Sequence, residues 1–223
     1  MVERQRTTIE QHISHIQIHN PEFLKDDNIR NNISDPDALY RAIESDPSVN
    51  AYSGRTMVSG MLATASLTTG VQIIGVDPEM EDGTTHIASH IIEGNYIGDE
   101  GRNPILVGRT LADKINVQER SRVVLTFQNA ENEIISAAFR VSGIYQTSNT
   151  TFDEMKVYIR QSDLISYLDS NMVISEIAVV LNDIEQSGQV AENLRAKFPN
   201  LEVRTWSEVS PELSYMNEMF GVM

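Results

Sequence analysis

The chain has 223 residues, 17 of them basic against 32 acidic, a net charge of -15 and no cysteine. A chain of this length buries roughly 70% of its unfolded surface without help from disulfides or metals, and the missing thiols exclude disulfides, thiol nucleophiles and Cys-ligated zinc. The charge repels phosphate backbones and argues against a nucleic-acid partner, and no apolar run reaches the roughly 18 residues that a membrane-spanning helix needs.

Residues 3–12 are polar and predict a short helix that opens without a clear cap, as if a segment upstream had been removed. Residues 14–19 alternate, with Ile16 and Ile18 on one face and His15, Gln17 and His19 on the other, which predicts a strand ended by Asn20-Pro21. Ser34-Asp35-Pro36 opens a helix carrying Leu39, Ala42 and Ile43, with Pro36 in its first turn, and Asp46-Pro47 closes it. Residues 49–62 read as one long strand, and residues 71–76 pair with it through a Thr-Thr-Gly turn at 68–70. Residues 84–97 read as irregular and partly helical, and a short helix is expected over 109–115. Residues 122–128 and 133–146 form a hairpin around 129–132, with Val123, Leu125 and Phe127 on one face.

Past Thr147 the texture changes to alternating strand and helix. Residues 148–151 read as a polar loop, 155–160 as a strand, 162–168 as a helix capped by Ser162, and 174–181 as an apolar strand. A helix over 184–198 carries Val190, Ala191, Leu194 and Phe198 on one stripe, with Asp183 and Gln186 as a capping pair and Pro199 as its stop. A short strand at 201–204 follows. Residues 207–223 read as helical and end in Met216, Met219, Phe220 and Met223 with no stop signal, so both ends look cut. The fold class expected is α+β in two subdomains. One is a mixed α/β lobe built from residues 1–60 and 155–223; the other is an inserted β-rich lobe over 61–154.

Reactive chemistry finds little support. On a helix, His15 and His19 at i, i+4 could ligate a metal with His12 nearby. On a strand they lie about 13 Å apart, which favours polar residues on a sheet face. The acidic run at 77–83 resembles a calcium loop, but its glycine is one place late and Ala88 stands where the last glutamate is needed, so an acidic turn is the better account. There is no nucleophile elbow, no P-loop and no dinucleotide fingerprint. No catalytic, cofactor-binding or metal-binding residue is therefore assigned, and the substrate-binding residues are unknown. Gly60, Gly75, Gly108 and Gly143 sit in or beside strands and mark bulges or close backbone approach; Gly94 and Gly101 read as turn glycines.

Gly75-Val76-Asp77-Pro78, Ile92-Glu93-Gly94-Asn95-Tyr96 and Pro104-Ile105-Leu106-Val107-Gly108 with Leu111-Ala112 stand in a fixed order. With Phe139, Gly143 and Tyr145, and with Phe152-Asp153 ahead of Lys156-Val157-Tyr158-Ile159, that order resembles the MacB-like periplasmic core domain of ABC-transporter permeases of the MacB, LolC/LolE and FtsX type. The opening from His15 to Pro21 resembles the lipoprotein-releasing members most. One departure is Gln118-Glu119-Arg120-Ser121, where such domains commonly carry Gly-Asp or Gly-Ser. The resemblance implies a porter subdomain and an inserted sabre subdomain, flanking membrane helices, and a place on the periplasmic face of a bacterial inner membrane. It implies as partners a cytoplasmic ABC ATPase, a second permease copy or paralogue, and an extracytoplasmic substrate or adaptor protein. Its mechanism is mechanical transmission rather than catalysis, driving release or extrusion of a lipoprotein, lipid, peptide or drug. The competing expectations are a stand-alone periplasmic or cell-surface ligand-binding protein and, further behind, a hydrolase.

Overall fold

The alternating segments form strands, because alternation gathers their apolar side chains on one face that a core can cover. The computed structural model describes residues 14–26, 28–98, 101–168 and 173–211; the helices expected over 3–12 and over most of 207–223, with His12, Met216, Met219, Phe220 and Met223, lie outside the described residues. The strands are β1 (Ile16–His19), β2 (Val49–Ala63), β3 (Thr68–Val76), β4 (Ile91–Gly94), β5 (Pro104–Gly108), β6 (Arg122–Gln128), β7 (Ile134–Tyr145), β8 (Lys156–Arg160), β9 (Glu176–Leu181) and β10 (Glu202–Thr205). The principal helices are α1 (Pro36–Glu44), α2 (Pro78–Thr85), α3 (Arg109–Ile115), α4 (Thr150–Met155), α5 (Gln161–Leu168) and α6 (Ser187–Lys197). The class is mixed α+β, as expected.

Two sheet systems share β2. Its first half pairs antiparallel with β9, and β9 continues through β1 to β10. Ile16, Ile18, Ile177, Val179 and Val203 face helices α1 and α6, whose Leu39, Ile43, Val190 and Leu194 complete one apolar core. The alternation read from residues 14–19 predicts this arrangement because the two isoleucines share a face. Asp35 caps α1 by accepting from the Ala38 N–H at 3.0 Å, with Pro36 at the start of the helix.

The second half of β2 enters a closed ring. β2 pairs with β3, β3 with β8, β8 with β5, β5 with β7, β7 with β6, and β6 again with β2. Closure removes the free edges that an open sheet would expose. Inside it lie Leu62, Ile73, Val107, Leu125, Phe139 and Val157 among others, plugged by Leu111 of α3 and Leu164 of α5. A third core, with Met57, Ile74, Leu106, Tyr145, Phe152 and Tyr158, covers another flank of the ring.

Four local expectations need correction. The β2–β3 turn is at Thr64 to Leu67, not 68–70: the Thr64 N–H donates to the Leu67 carbonyl at 2.8 Å, and the Thr64 hydroxyl accepts from the Leu67 N–H at 3.2 Å. Thr68 and Thr69, being β-branched, extend the strand instead. The acidic run at 77–83 is the body of α2. The supposed loop at 148–151 contains the start of α4, where Asn149 Oδ1 accepts from the Thr151 and Phe152 N–H groups. Finally, Lys156–Arg160, expected with the chain ends, fills the ring between β3 and β5. Its pairing with β3 is parallel, and a parallel partner is reached by a long crossover that adjacency in sequence does not reveal.

Candidate functional site

At the seam where β2 leaves β9 for β3, the structure buries a set of charges. Arg55 on β2 and His19 on β1 are both direct ladder partners of Glu176 on β9. Direct partners point to the same face, so one rung of the sheet carries a cation, a carboxylate and an imidazole side by side. Helix α2 crosses that face and supplies the fourth member, Glu81, which is fully buried. Arg55 grips Glu81 with two parallel bonds, Nε to Oε2 at 2.9 Å and Nη2 to Oε1 at 2.8 Å. Its Nη1 donates to Glu176 Oε1 at 2.5 Å. The other Glu176 oxygen lies 2.9 Å from His19 Nε2, which places that imidazole's proton on Nε2. The His19 ring stacks on Phe23, with centroids 6.2 Å apart.

The electrostatics follow from burial and charge together. Burial alone would push the Glu176 carboxyl up; the Arg55 guanidinium, the His19 hydrogen bond and Lys156 outweigh it and hold it well below the usual carboxylate range. Burial opposes the Arg55 charge too, but Glu81 and Glu176 keep it firmly protonated. Lys156, half-buried with its ammonium 4.5 Å from the centre of the Phe152 ring, is held below its ordinary value by burial, partly offset by Glu176. Burial first, and Glu81 second, drive the Tyr158 phenol well upward, so it stays neutral. Each charge is answered by a neighbour within the protein.

Helix α2 exists because of the residues that imitated a calcium loop. Asp77 caps it, accepting from the Glu79 and Met80 N–H groups at 3.0 and 3.1 Å, and Pro78 starts it. Asp82 accepts from the Ala88 N–H at 2.9 Å. Two of the acids thus serve the backbone, and Glu81 turns inward to Arg55. Tyr96 closes the same corner by donating to the Pro78 carbonyl at 2.9 Å.

His15 and His19 are buried, not laid on a polar sheet face as expected from the alternation. His15 Nδ1 accepts from the Leu181 N–H at 2.9 Å, while His19 is committed to Glu176. Among the described residues no three His, Asp or Glu side chains gather as a metal cluster. The glycine markers do mark close approach: a Cβ on Gly108 would stand 2.1 Å from the Asp153 carbonyl oxygen, and one on Gly143 would stand 2.5 Å from that of Asn95. Asp153 is buried at this contact, with its carboxylate accepting from the Thr147 N–H at 3.0 Å and hydroxyl at 2.6 Å. Gly94, at φ +75°, lies against the Ser142 carbonyl. The departure at 118–121 preserves its turn: the Ser121 N–H donates to Gln118 O at 3.0 Å, and Arg120 takes the left-handed conformation at φ +67°.

Sequence reasoning missed Arg55, Glu81 and Glu176 altogether. Their separations of 26 and 121 residues leave no local pattern. The available signal was one arginine between buried residues in the middle of a long strand, which needs a carboxylate to be tolerated there.

No family model matches the chain, and no curated protein matches it by sequence. Solved structures do. The periplasmic region of MacB from Actinobacillus actinomycetemcomitans is similar at a TM-score of 0.59 and 13% identity, over 95% of this chain and 98% of that one. The extracellular domain of the noncanonic ABC-type transporter YknZ from Gram-positive bacteria is similar at a TM-score of 0.58 and 12% identity, over 85% of this chain and 99% of that one. Identity this low speaks to architecture, and at that level the resemblance read from the sequence holds: the chain has the fold of the MacB-like periplasmic core domain of ABC-transporter permeases.

Proposed function

We propose that this chain is the extracytoplasmic domain of an ABC-transporter permease and that it works as a force-transmitting part, not as a catalyst. The observation that carries the proposal is coverage: 95% of this chain aligns with 98% of the MacB periplasmic region, so the likeness spans whole domains and not a shared motif. In this reading the β10-β1-β9 sheet with its helices is the porter part, and the closed ring is the sabre part. ATP hydrolysis by a cytoplasmic ATPase, bound to this permease and a second copy or paralogue, moves the domain at the periplasmic face of the inner membrane. The movement extrudes or releases a substrate such as a lipoprotein, lipid, peptide or drug.

Transmission needs two bodies that move together, coupled through a stiff element. The Arg55 network supports that role. It ties β1 and β9 of one sheet and the helix that follows β3 of the ring to the strand they share. Its charges are buried and paired with one another, which suits a brace more than an acid–base site.

Purification of the full-length gene product from detergent-solubilised membranes tests the reading. An ABC ATPase should accompany it, and substrate release should become uncoupled from ATP hydrolysis when Arg55 is replaced. Recovery of the full-length product from the soluble fraction, without an ATPase, would refute the proposal and favour a free ligand-binding protein.

A further inference from the structure

In a chain of net charge -15, four of the 17 basic residues meet on one outer flank of the ring. Arg122 on β6 and Arg140 on β7 are direct ladder partners and both are exposed, so two like charges stand opposite each other. That arrangement is destabilising unless something anionic lies between them. Arg102 is exposed next to them, and among the described residues neither it nor Arg122 nor Arg140 has a side-chain ion pair or hydrogen bond. Arg120 joins from the turn before β6. It holds a left-handed φ of +67°, uncommon for a residue with a side chain, and among the described residues its guanidinium meets only the neighbouring Glu119, at 3.5 Å.

The surface there is hollow. Two adjoining clefts of about 490 and 640 Å³ share Arg102 and Arg140; the first also takes in Arg122, and the second Arg120. A wall of the first is fixed by Asn103, whose side-chain amide donates to the Ala138 carbonyl at 3.0 Å and to the Tyr167 hydroxyl at 2.7 Å. All four cations are arginines, whose planar forks bind oxyanions bidentately, and none is a lysine.

We propose that the cleft bordered by Arg102, Arg122 and Arg140, with Arg120 at its edge, is a binding site for a phosphate group. A phosphate presents several oxygens to several guanidiniums at once. Set between Arg122 and Arg140, it turns their repulsion into two attractions. The same chemistry comes from a free phosphorylated solute or from a phospholipid headgroup. The site does not depend on the transport reading, because it is tested on this chain alone.

Calorimetric titration at about 150 mM NaCl, where exposed charges beyond about 8 Å are screened, should show saturable binding of pyrophosphate. Replacing two charge-assisted contacts in R122S/R140S should weaken that binding at least about tenfold. The control R41S/R109S, with the same change of net charge, should bind as the parent does. R122S/R140S should melt no lower than the parent, since it loses a like-charge pair, so lost affinity will not reflect unfolding. Vesicles of phosphatidylcholine with phosphatidylglycerol separate the sources: arginine-dependent binding competed by pyrophosphate assigns a headgroup, and pyrophosphate binding without vesicle binding assigns a soluble ligand. The proposal is overturned by absence of saturable pyrophosphate binding, by equal loss in both double variants, or by binding of polyglutamate where pyrophosphate does not bind, which would mark a protein-docking face.

Discussion

Replacing Arg55 by methionine is the sharpest test of the seam. The change keeps the bulk of the side chain and removes three charged hydrogen bonds, two to Glu81 and one to Glu176. Charged hydrogen bonds contribute about 1.5–3 kcal/mol each, but R55M also relieves the cost of keeping a guanidinium out of water. What remains is the cost of stranding buried carboxylates, about 3–5 kcal/mol when one partner of a buried pair is removed. A domain of ordinary stability, about 5–15 kcal/mol, would lose about a fifth of it or more. The dependence on pH identifies the cause. In the parent chain Glu176 is held below the unfolded carboxylate value of about 4.3. Its contribution is therefore complete above that value and is lost as pH falls through the depressed folded one. In R55M the guanidinium is gone and burial, the largest influence on Glu176, pushes the carboxyl above its unfolded value. Stability then falls as pH rises between the two, so the deficit is largest at pH 8 and at least about 1 kcal/mol smaller at pH 5. Urea unfolding at both pH values measures it, followed by circular dichroism and by the fluorescence of Trp206, the single tryptophan. A deficit below about 1 kcal/mol at pH 8, or one that does not shrink at pH 5, would refute the reasoning.

The other predictions use the same unfolding assay. Replacing the whole cluster, as in R55M/E81L/E176L, should leave stability within about 2 kcal/mol of the parent or raise it, since apolar residues of similar size tolerate such a site where a half-broken pair does not. G108A forces a Cβ to within 2.1 Å of the Asp153 carbonyl and should cost about 1–3 kcal/mol, as overpacking does; a neutral result would mean that α4 shifts freely. D77A removes the acceptor for two N–H groups at the start of α2 and should cost about 1 kcal/mol. Because α2 carries Glu81, the loss from D77A should be smaller in the E81L/R55M background if capping and the charge network are coupled.

How far the sequence foretold the structure depended on where each contact partner lay. Val123, Leu125 and Phe127 turned inward as their spacing required, because a strand's alternation depends only on the strand. Asp35 and Pro36 opened α1 because a cap is formed within four residues. Asp77-Pro78 offered the same signal, yet Gly83, Thr84 and Thr85 weaken the helical pattern after it, and the acidic run read as a turn instead. Thr84 and Thr85 are tolerated because their hydroxyls donate to the Met80 and Glu81 carbonyls one turn back. The ring was hidden for a different reason: its closure rests on β3 with β8 and on β2 with β6, pairings between segments far apart in the chain. The arginine cleft was hidden likewise, since Arg122 and Arg140 look unremarkable until register puts them opposite each other.

Why the seam should be charged at all follows from the strand that crosses it. β2 serves β9 with its first half and the ring with its second, so a slip of one residue against β9 would have to be absorbed by both systems. An apolar seam opposes such a slip weakly here, because both faces of β9 are buried along its length and exchanging them exposes little to water. Charges oppose it strongly. Moved by one place, Arg55 would stand opposite Ile177 in place of Glu176 and turn to the other face of the sheet, leaving Glu176 and Glu81 without their guanidinium. We infer that the network fixes register, and with it the relative placement of sheet and ring, at a cost in stability that an apolar replacement would avoid. The R55M/E81L/E176L variant decides between this and simple bracing: full stability with lost uniformity of structure, seen as doubled or broadened amide resonances along β9 and β2, is the outcome that register control requires.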